Sequence, residues 1–220
     1  MSALLGPILT VDFVPLAICD RLLCVLRAVR DIEPFEGRAA LIGGYVHIHK
    51  DEHLGATARR VLAAKARLSD LYVEQRSTFS GPDRDPSGWS ASVVYFSLSS
   101  AEQLQPALDR GLVLTPADEA KGMPFDHDLI LQAAVERLRR KGAYSDLPAR
   151  LLPRDFTLAE LHDVYEIALD ETLNIDAFRR EALERNFLKE TGEKRRTPGA
   201  NKLSALYRLK KGDSVFDRRL

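Results

Sequence analysis

The segment that decides the fold of the first half reads Gly43-Gly44-Tyr45-Val46-His47-Ile48-His49-Lys50-Asp51-Glu52-His53-Leu54 and continues to Leu68. Two adjacent glycines indicate a turn, and a polar, histidine-rich loop follows them. Apolar side chains then recur at steps of four, three and one residues: Leu54, Ala58, Val61 and Leu62. This spacing places them on one face of an amphipathic helix, so the segment predicts a turn, a loop and a helix.

The turn, Glu52 and Arg60, eight positions after Glu52, resemble the Nudix box. In working Nudix hydrolases the helix carries glutamates that hold divalent metal against a diphosphate. The matching positions here are Val61, Ala64 and Lys65. Magnesium needs oxygen ligands, and an ammonium group at a ligand position repels a cation. The resemblance therefore implies a Nudix frame without catalytic residues or a metal site, and we expect no enzyme activity. The structural alternative for these two residues is that Glu52 favours the helix N-terminus and Arg60 pairs with it across two turns.

The composition is that of a folded soluble protein. The chain has 220 residues, of which 45% are hydrophobic and 29% charged, and this length fits one large or two small domains. No apolar run approaches the roughly 20 residues that span a bilayer, and the first residues lack the basic segment of a secretory signal. Cys19 and Cys24 form no disulfide framework and are interpreted as small core residues, so we expect a cytoplasmic location.

The charge is unevenly distributed along the chain. The net charge is zero, but the segment from Asn174 to the end holds 13 Lys or Arg against seven Asp or Glu, so it carries +6 and the remainder −6. A basic C-terminal module on an acidic body favours a polyanionic partner such as nucleic acid.

The first half has the strand and helix pattern of an α/β domain, and its resemblance to a Nudix domain implies a mixed sheet with helices. We predict two antiparallel strands, Leu9–Ile18 and Arg21–Val29, and a long helix, His127–Lys141, with Asp126 as its N-cap. Further strands are predicted at 72–79, 89–98 and 112–114, and a short apolar segment at 39–42 leads to the glycine turn. Two prolines near Ser145–Pro153 favour a boundary there, which gives domains at 1–147 and 152–220.

The second half has the layout of a winged helix-turn-helix. Thr157 and Glu160 form a capping box before a first helix with an apolar face made of Leu161, Val164, Tyr165 and Ala168. Asn174 caps a second helix, which Asn186 ends in a left-handed conformation. Its inward residues are predicted to be Ile175, Phe178, Ala182 and Leu183. A strand from Phe187, a basic tip at Gly192–Gly199 and a returning strand, Ala205–Leu209, form the wing.

Several segments together resemble one family. Thr78–Pro86 with Trp89 resembles a segment of Nudix domains related to ADP-ribose pyrophosphatases, while Phe156–Leu161, Phe178–Arg180 and Thr191–Arg195 resemble the winged helix fused to such domains. The combination is similar to the Nudix-related transcriptional regulators of NAD metabolism. This resemblance implies a homodimeric repressor of NAD biosynthesis or salvage genes, which binds operator DNA and senses ADP-ribose or a related NAD-derived nucleotide.

Candidate site residues follow from their chemistry. The effector candidates are Arg38, Glu52, Arg60, Arg84 and Trp89. A guanidinium pairs bidentately with phosphate oxygens, whereas the tryptophan either stacks on adenine or belongs to the core. The DNA candidates are Arg179 and Arg180 on the second helix, Lys194, Arg195 and Arg196 on the wing, and Thr157 and Asn174 at the two helix starts.

Three alternatives stay open. The chain is an active ADP-ribose or nucleotide-sugar pyrophosphatase with an accessory DNA-binding domain, or a regulator of the same architecture that senses a sugar or sugar phosphate. Separately, His47, His49 and His53 can ligate zinc or another transition metal, whereas the simpler interpretation is a solvated loop.

Overall fold

The structure is a computed structural model that describes residues 6–69, 71–196, 203–212, 214–217 and 219–220. The strands are β1 (Ile8–Cys19), β2 (Leu22–Val29), β3 (Ala39–Ala40), β4 (Ile42–Tyr45), β5 (Tyr72–Gly81), β6 (Ser90–Leu98), β7 (Val113–Pro116), β8 (Leu188–Arg196) and β9 (Leu203–Leu209). The helices are α1 (Leu54–Ala66), α2 (Gln105–Leu108), α3 (His127–Gly142), α4 (Leu158–Leu169) and α5 (Ile175–Glu184), with 3-10 turns at Glu102–Leu104 and Leu147–Leu151. No helix in the described ranges is long and apolar enough to cross a membrane.

A mixed seven-stranded sheet organises the first half, as the sequence predicted. Its order is β3-β2-β1-β6-β5, while β4 pairs with β1 and β7 with β2. The central β1 runs antiparallel to β2 and β4 but parallel to β6, with Val11 opposite Val93. Parallel pairing requires a long crossover, and the chain from β2 through α1 and β5 supplies it.

Helices cover both faces of this sheet. Successive residues of a strand face opposite sides, so Phe13 packs in the cluster with Val61 of α1. Val14 instead packs in the cluster with Ile130 of α3. The helix predicted from Leu54, Ala58, Val61 and Leu62 is confirmed, and α1 ends at Arg67 in the left-handed region, with φ 53°.

The second half forms its own core around the helix-turn-helix. Phe156, Tyr165, Phe178 and Phe187 are at most 2% exposed and pack in one cluster. The predicted apolar face of α4, the capping box and the left-handed Asn186 (φ 58°) are all confirmed. The inward face of α5 was predicted too wide.

Only Phe178 and Ala182 are buried on α5. Ile175 and Leu183 are 40% and 51% exposed. Ile175 lies in the first turn, and Leu183 is rotated by about 100° from Ala182 along the helix. Both side chains therefore fall outside the stripe that packs against α4.

The two halves share packing across their junction. Val164 and Ala168 of α4 belong to the same buried cluster as Ile130 of α3, and the Tyr165 hydroxyl donates to the carbonyl of Ser145 at 2.8 Å. The 3-10 turn Leu147–Leu151 packs against both helices. The domain boundary between residues 147 and 152 therefore stays a prediction.

Candidate effector and DNA sites

Asp51 organises the start of the Nudix-like helix. Its carboxylate accepts from Arg60 Nε at 2.7 Å and Nη2 at 2.6 Å, from the Thr57 hydroxyl and from the His47 amide. The hydrogen bond from Arg60 is the main cause that holds the pKa of Asp51 well below its usual range. The prediction that Arg60 pairs with Glu52 was wrong. Glu52 is exposed, because the turn at His47–Lys50 brings Asp51 rather than Glu52 over the helix.

The histidines of this loop have separate surroundings. His53 is the N-cap of α1, and its Nδ1 accepts from the Ala56 amide at 3.3 Å. His47 and His49 are exposed. Among the described residues, the ligand atoms that converge as a possible metal site belong to another group, His162, Asp163 and Glu166. The solvated loop and the zinc alternative for the three histidines of this loop both stay predictions.

The three positions that match Nudix metal ligands differ in burial and surroundings. Val61 is 2% exposed and packs under the glycine turn, since a Cβ on Gly44 would lie 2.9 Å from its Cγ2. Ala64 and Lys65 are exposed. Desolvation by nearby protein atoms lowers the pKa of the Lys65 ammonium. The carboxylates of Asp31 and Asp12 oppose this shift, and the charge of Arg30 adds to it.

Arg84 lies in a buried network. Its side chain is 7% exposed, and it donates from Nε and Nη2 to Asp126 at 3.0 and 2.9 Å and from Nη1 to Ser90 at 3.0 Å. Asp126 precedes α3 as predicted, but its side chain makes no capping bond, because Arg84 occupies both carboxylate oxygens. The predicted contact between Arg84 and an effector would compete with this pair.

The same network reaches the glycine turn. Asp12 accepts from Ser92 at 2.6 Å, and its other oxygen lies 3.8 Å from Nε2 of His127. His127 Nδ1 accepts from the Leu41 amide at 3.1 Å, and burial lowers the pKa of this histidine. A Cβ on Gly43 would lie 1.9 Å from Oδ1 of Asp12, so the turn needs glycine to admit the carboxylate.

An aromatic–guanidinium cluster, formed by Arg30, Phe35, Arg38 and Phe125, was missed from the sequence except for Arg38. The two rings meet edge to face at 5.0 Å between centroids. Arg30 lies 4.9 Å from the Phe125 ring and Arg38 lies 5.8 Å from the Phe35 ring, while Arg38 also donates to the carbonyl of Gly122. Both phenylalanines have positive φ, 69° and 58°, and bulky residues in this region often mark functional sites.

No sequence signal identifies these rings as partners, because they meet only through tertiary packing. Trp89, immediately before β6, is 50% exposed. The alternative that this tryptophan belongs to the core is therefore wrong. An exposed indole and the cluster both offer surfaces on which a base can stack.

The DNA candidates of the two helices differ in their exposure. Arg180 is exposed on α5, while Arg179 is partly buried and lines a groove of about 270 Å³ with Thr157 and Ser204. Thr157 is 1% exposed, and its hydroxyl accepts from the Glu160 amide. Asn174 is exposed and accepts from the Ala177 amide.

The basic residues predicted at the wing tip lie in a strand instead. β8 continues through Lys194, Arg195 and Arg196, because the hairpin pairs Arg196 with Leu203. The rest of the predicted tip, residues 197–199, lies outside the described residues. Lys194 and Arg196 are exposed, and Arg195 donates from Nη2 to both oxygens of Glu160 at 2.6 Å.

A Nudix-like α/β domain joined to a winged helix defines the class of protein as a DNA-binding regulator with a sensor domain. Residues 148–209 match the family model of the NrtR DNA-binding winged helix domain. Together with a repressor that is 34% identical over 96% of this chain, this match shows that the chain belongs to the NrtR family.

Similar proteins extend this result beyond the winged helix. The chain is 34% identical over 216 residues to the ADPR responsive transcriptional repressor NtrR of Acinetobacter baylyi, covering 96% of this chain and 86% of the relative. The NrtR of Shewanella oneidensis solved with a 27mer DNA is 35% identical and superposes with a TM-score of 0.87, covering 96% of this chain and 99% of that chain. The NUDIX domain of the same protein, solved with ADP ribose, is 35% identical and superposes with a TM-score of 0.55. The match covers 62% of this chain and 91% of that chain.

Proposed function

We propose that this chain is a DNA-binding transcriptional repressor whose Nudix-like domain responds to ADP-ribose. The observation that carries the proposal is the likeness over 96% of the chain to an NrtR solved with DNA. The ADP-ribose complex of that protein's NUDIX domain supports the effector. The proposed targets are genes of NAD biosynthesis or salvage.

The winged helix supplies the DNA-binding end of this function. α5 carries the exposed Arg180 and is capped by Asn174, so its first turns are suited to the major groove. Lys194 and Arg196 of β8 are exposed and suited to phosphate contact. Arg179 and Arg195 are partly buried and support the same surface. Thr157 contributes through its cap on α4, and its contact with DNA stays a prediction.

The Nudix-like domain supplies the sensing end. The aromatic–guanidinium cluster offers positive charge for a diphosphate and rings for a base, and Lys65 adds a cation near Arg30. Arg38, Glu52, Arg60 and Trp89 stay predicted effector contacts, and all four have solvent-accessible surface. For Arg84 we propose an indirect role, in which the pair with Asp126 fixes the end of the loop before α3.

The proposed repressor binds its effector without hydrolysing it. Glu52 is one carboxylate, and Val61, Ala64 and Lys65 bring no further oxygen ligand to hold metal on a diphosphate. Binding without turnover suits a sensor, since hydrolysis would destroy the signal. We also propose a homodimer, because two-fold operators match two-fold proteins.

The function is tested by asking which promoter fragments the purified full-length protein retains, with and without ADP-ribose. We expect specific retention that ADP-ribose weakens, together with a higher melting temperature in ADP-ribose. No melting shift with any NAD-related nucleotide would defeat the effector assignment, and a shift with a sugar phosphate instead would favour the sugar-sensing alternative.

The pyrophosphatase alternative is tested separately by incubation with ADP-ribose and Mg²⁺ or Mn²⁺. We expect no turnover. Turnover that Glu52→Gln abolishes would establish an enzyme.

A further inference from the structure

Three side chains converge on α4 where it meets the Nudix-like domain. His162 and Glu166 are one helical turn apart, and Asp163 follows His162. Nδ1 of His162 lies 3.7 Å from Oε2 of Glu166 and 3.8 Å from Oδ1 of Asp163. Two ligands that each lie about 2.1 Å from a metal are at most about 4.2 Å apart, so both separations suit one shared cation.

The imidazole of His162 needs a partner on this side. Its side chain is 8% exposed, and Nε2 lies 2.9 Å from the carbonyl of Leu173. That carbonyl can only accept, so Nε2 carries a proton. The groups that face Nδ1 are two carboxylates, which are acceptors. Either a proton on Nδ1 or a metal ion balances their charge, and only a metal ion uses all three atoms as ligands.

Each of the three side chains is already oriented by its second polar atom. His162 Nε2 is held by the carbonyl of Leu173, and Glu166 Oε1 accepts from the amide of the same residue at 2.9 Å. Asp163 Oδ2 accepts from Arg21 at 2.9 Å. The atoms left over are His162 Nδ1, Asp163 Oδ1 and Glu166 Oε2. Such outer hydrogen bonds orient and tune metal ligands in known sites.

We propose that His162 Nδ1, Asp163 Oδ1 and Glu166 Oε2 bind one divalent transition-metal cation, with Zn²⁺ the first candidate. One imidazole with two carboxylates suits zinc, and also Mn²⁺. Asp163 and Glu166 are 44% and 23% exposed, so solvent completes the coordination on the open side. This site is separate from the Nudix box and from the histidine loop.

The site is coupled to the recognition helix through Leu173. His162 holds the carbonyl of Leu173 and Glu166 holds its amide, and the next residue, Asn174, is the N-cap of α5. A bound cation would fix both side chains and therefore the start of α5. This consequence for DNA rests on the proposed function, whereas the metal site itself does not.

The test is metal binding by the full-length protein, after treatment with chelator, using isothermal titration with ZnCl₂ and metal analysis after dialysis. We expect one equivalent in the wild type. Glu166→Gln keeps an oxygen for the Leu173 amide, and Asp163→Asn keeps the shape of the side chain. Each should weaken zinc binding at least about ten-fold. His162 also packs edge-on against Phe178, so its replacement would risk the fold.

Two matched controls separate this site from its neighbours. Arg21→Gln breaks the same ion pair as Asp163→Asn but removes no ligand, and His49→Gln alters the histidine loop; both should retain one equivalent. Zinc should also slow hydrogen exchange in residues 171–176 of the wild type but not of Glu166→Gln. Absence of stoichiometric zinc, or equal affinity in Glu166→Gln and Asp163→Asn, would overturn the proposal. Both outcomes are independent of DNA binding.

Discussion

Arg195 on the wing donates to both carboxylate oxygens of Glu160 at 2.6 Å, and the same carboxylate accepts from the Thr157 amide at 2.7 Å. One glutamate thus completes the cap of α4 and holds β8 against it. The wing and the helix-turn-helix are therefore joined by a side chain that the sequence identified only as part of a capping box.

We expect Arg195→Ala to lower stability slightly, by about 0.2–1 kcal/mol, because the pair is partly exposed. Glu160→Ala should cost more, about 0.5–2 kcal/mol, since it also removes the cap. Chemical denaturation of both variants measures the difference. Unchanged stability of Arg195→Ala with strongly reduced DNA binding would mean that Arg195 acts on DNA directly.

Arg180 and Lys194 should affect DNA binding in different ways. Arg180→Ala should lose about 1–3 kcal/mol of operator affinity and relax specificity, because α5 enters the groove. Lys194→Ala should weaken binding to any DNA and reduce the salt slope by about one, because a phosphate contact releases counterions. Fluorescence anisotropy across a salt series measures both effects. Arg110→Ala, an exposed arginine of the Nudix-like domain, is the control, and unchanged binding in both test variants would discard this placement.

The Asp51–Arg60 pair should stabilise the fold in a pH-dependent way. The hydrogen bond from Arg60 lowers the pKa of Asp51, so its contribution is complete above the unfolded value of about 3.9 and is lost as the pH falls below it. Asp51→Asn should lower the melting temperature at neutral pH, and the gap to the wild type should narrow below about pH 4. Melting curves across this range measure the gap. Glu52→Gln changes the exposed residue next to Asp51, so its melting temperature should stay close to that of the wild type at every pH.

The Arg84–Asp126 pair should be important for the stability of the Nudix-like domain. Both side chains are largely buried, at 7% and 13% exposure. Asp126→Asn would remove the nearer charge partner of a buried guanidinium and leave the Asp12 carboxylate, 3.6 Å from Arg84 Nη2, so it should cost about 1–3 kcal/mol in chemical denaturation. Arg84→Ala tests the effector contact predicted from the sequence. If this variant keeps its stability but loses ADP-ribose binding, the direct contact is supported.

The two glycines of the turn should respond differently to alanine. A Cβ at Gly43 meets Oδ1 of Asp12 at 1.9 Å, whereas at Gly44 it meets a Val61 methyl at 2.9 Å. Asp12 is fixed by Ser92, so Gly43→Ala should destabilise by about 1–3 kcal/mol and more than Gly44→Ala. Gly6→Ala is the control, because nothing lies within 4 Å of its Cβ. Equal melting temperatures for Gly43→Ala and Gly6→Ala would contradict the packing argument.

The local features of this protein could be read from its sequence. The capping box at Thr157 and Glu160, the apolar stripe of α1 and the left-handed Asn186 depend on residues a few positions apart. Backbone conformation and helical periodicity act over that range. The layout of a Nudix-like domain followed by a winged helix follows from the order of such elements.

Only the tertiary structure decided which distant side chains meet. Asp12 joins Ser92 across 80 residues, because β1 pairs in parallel with β6 in the sheet. Arg84, in the loop before β6, joins Asp126, the residue before α3, across 42 residues. The same applies to Phe35 with Phe125. Helical spacing fixes the face on which a residue lies, but a buried charge takes as its partner whichever group the packing of sheet and helices brings within reach. Arg60 shows the same limit within one segment: the turn at His47–Lys50, which helical spacing does not predict, brings Asp51 rather than Glu52 within its reach.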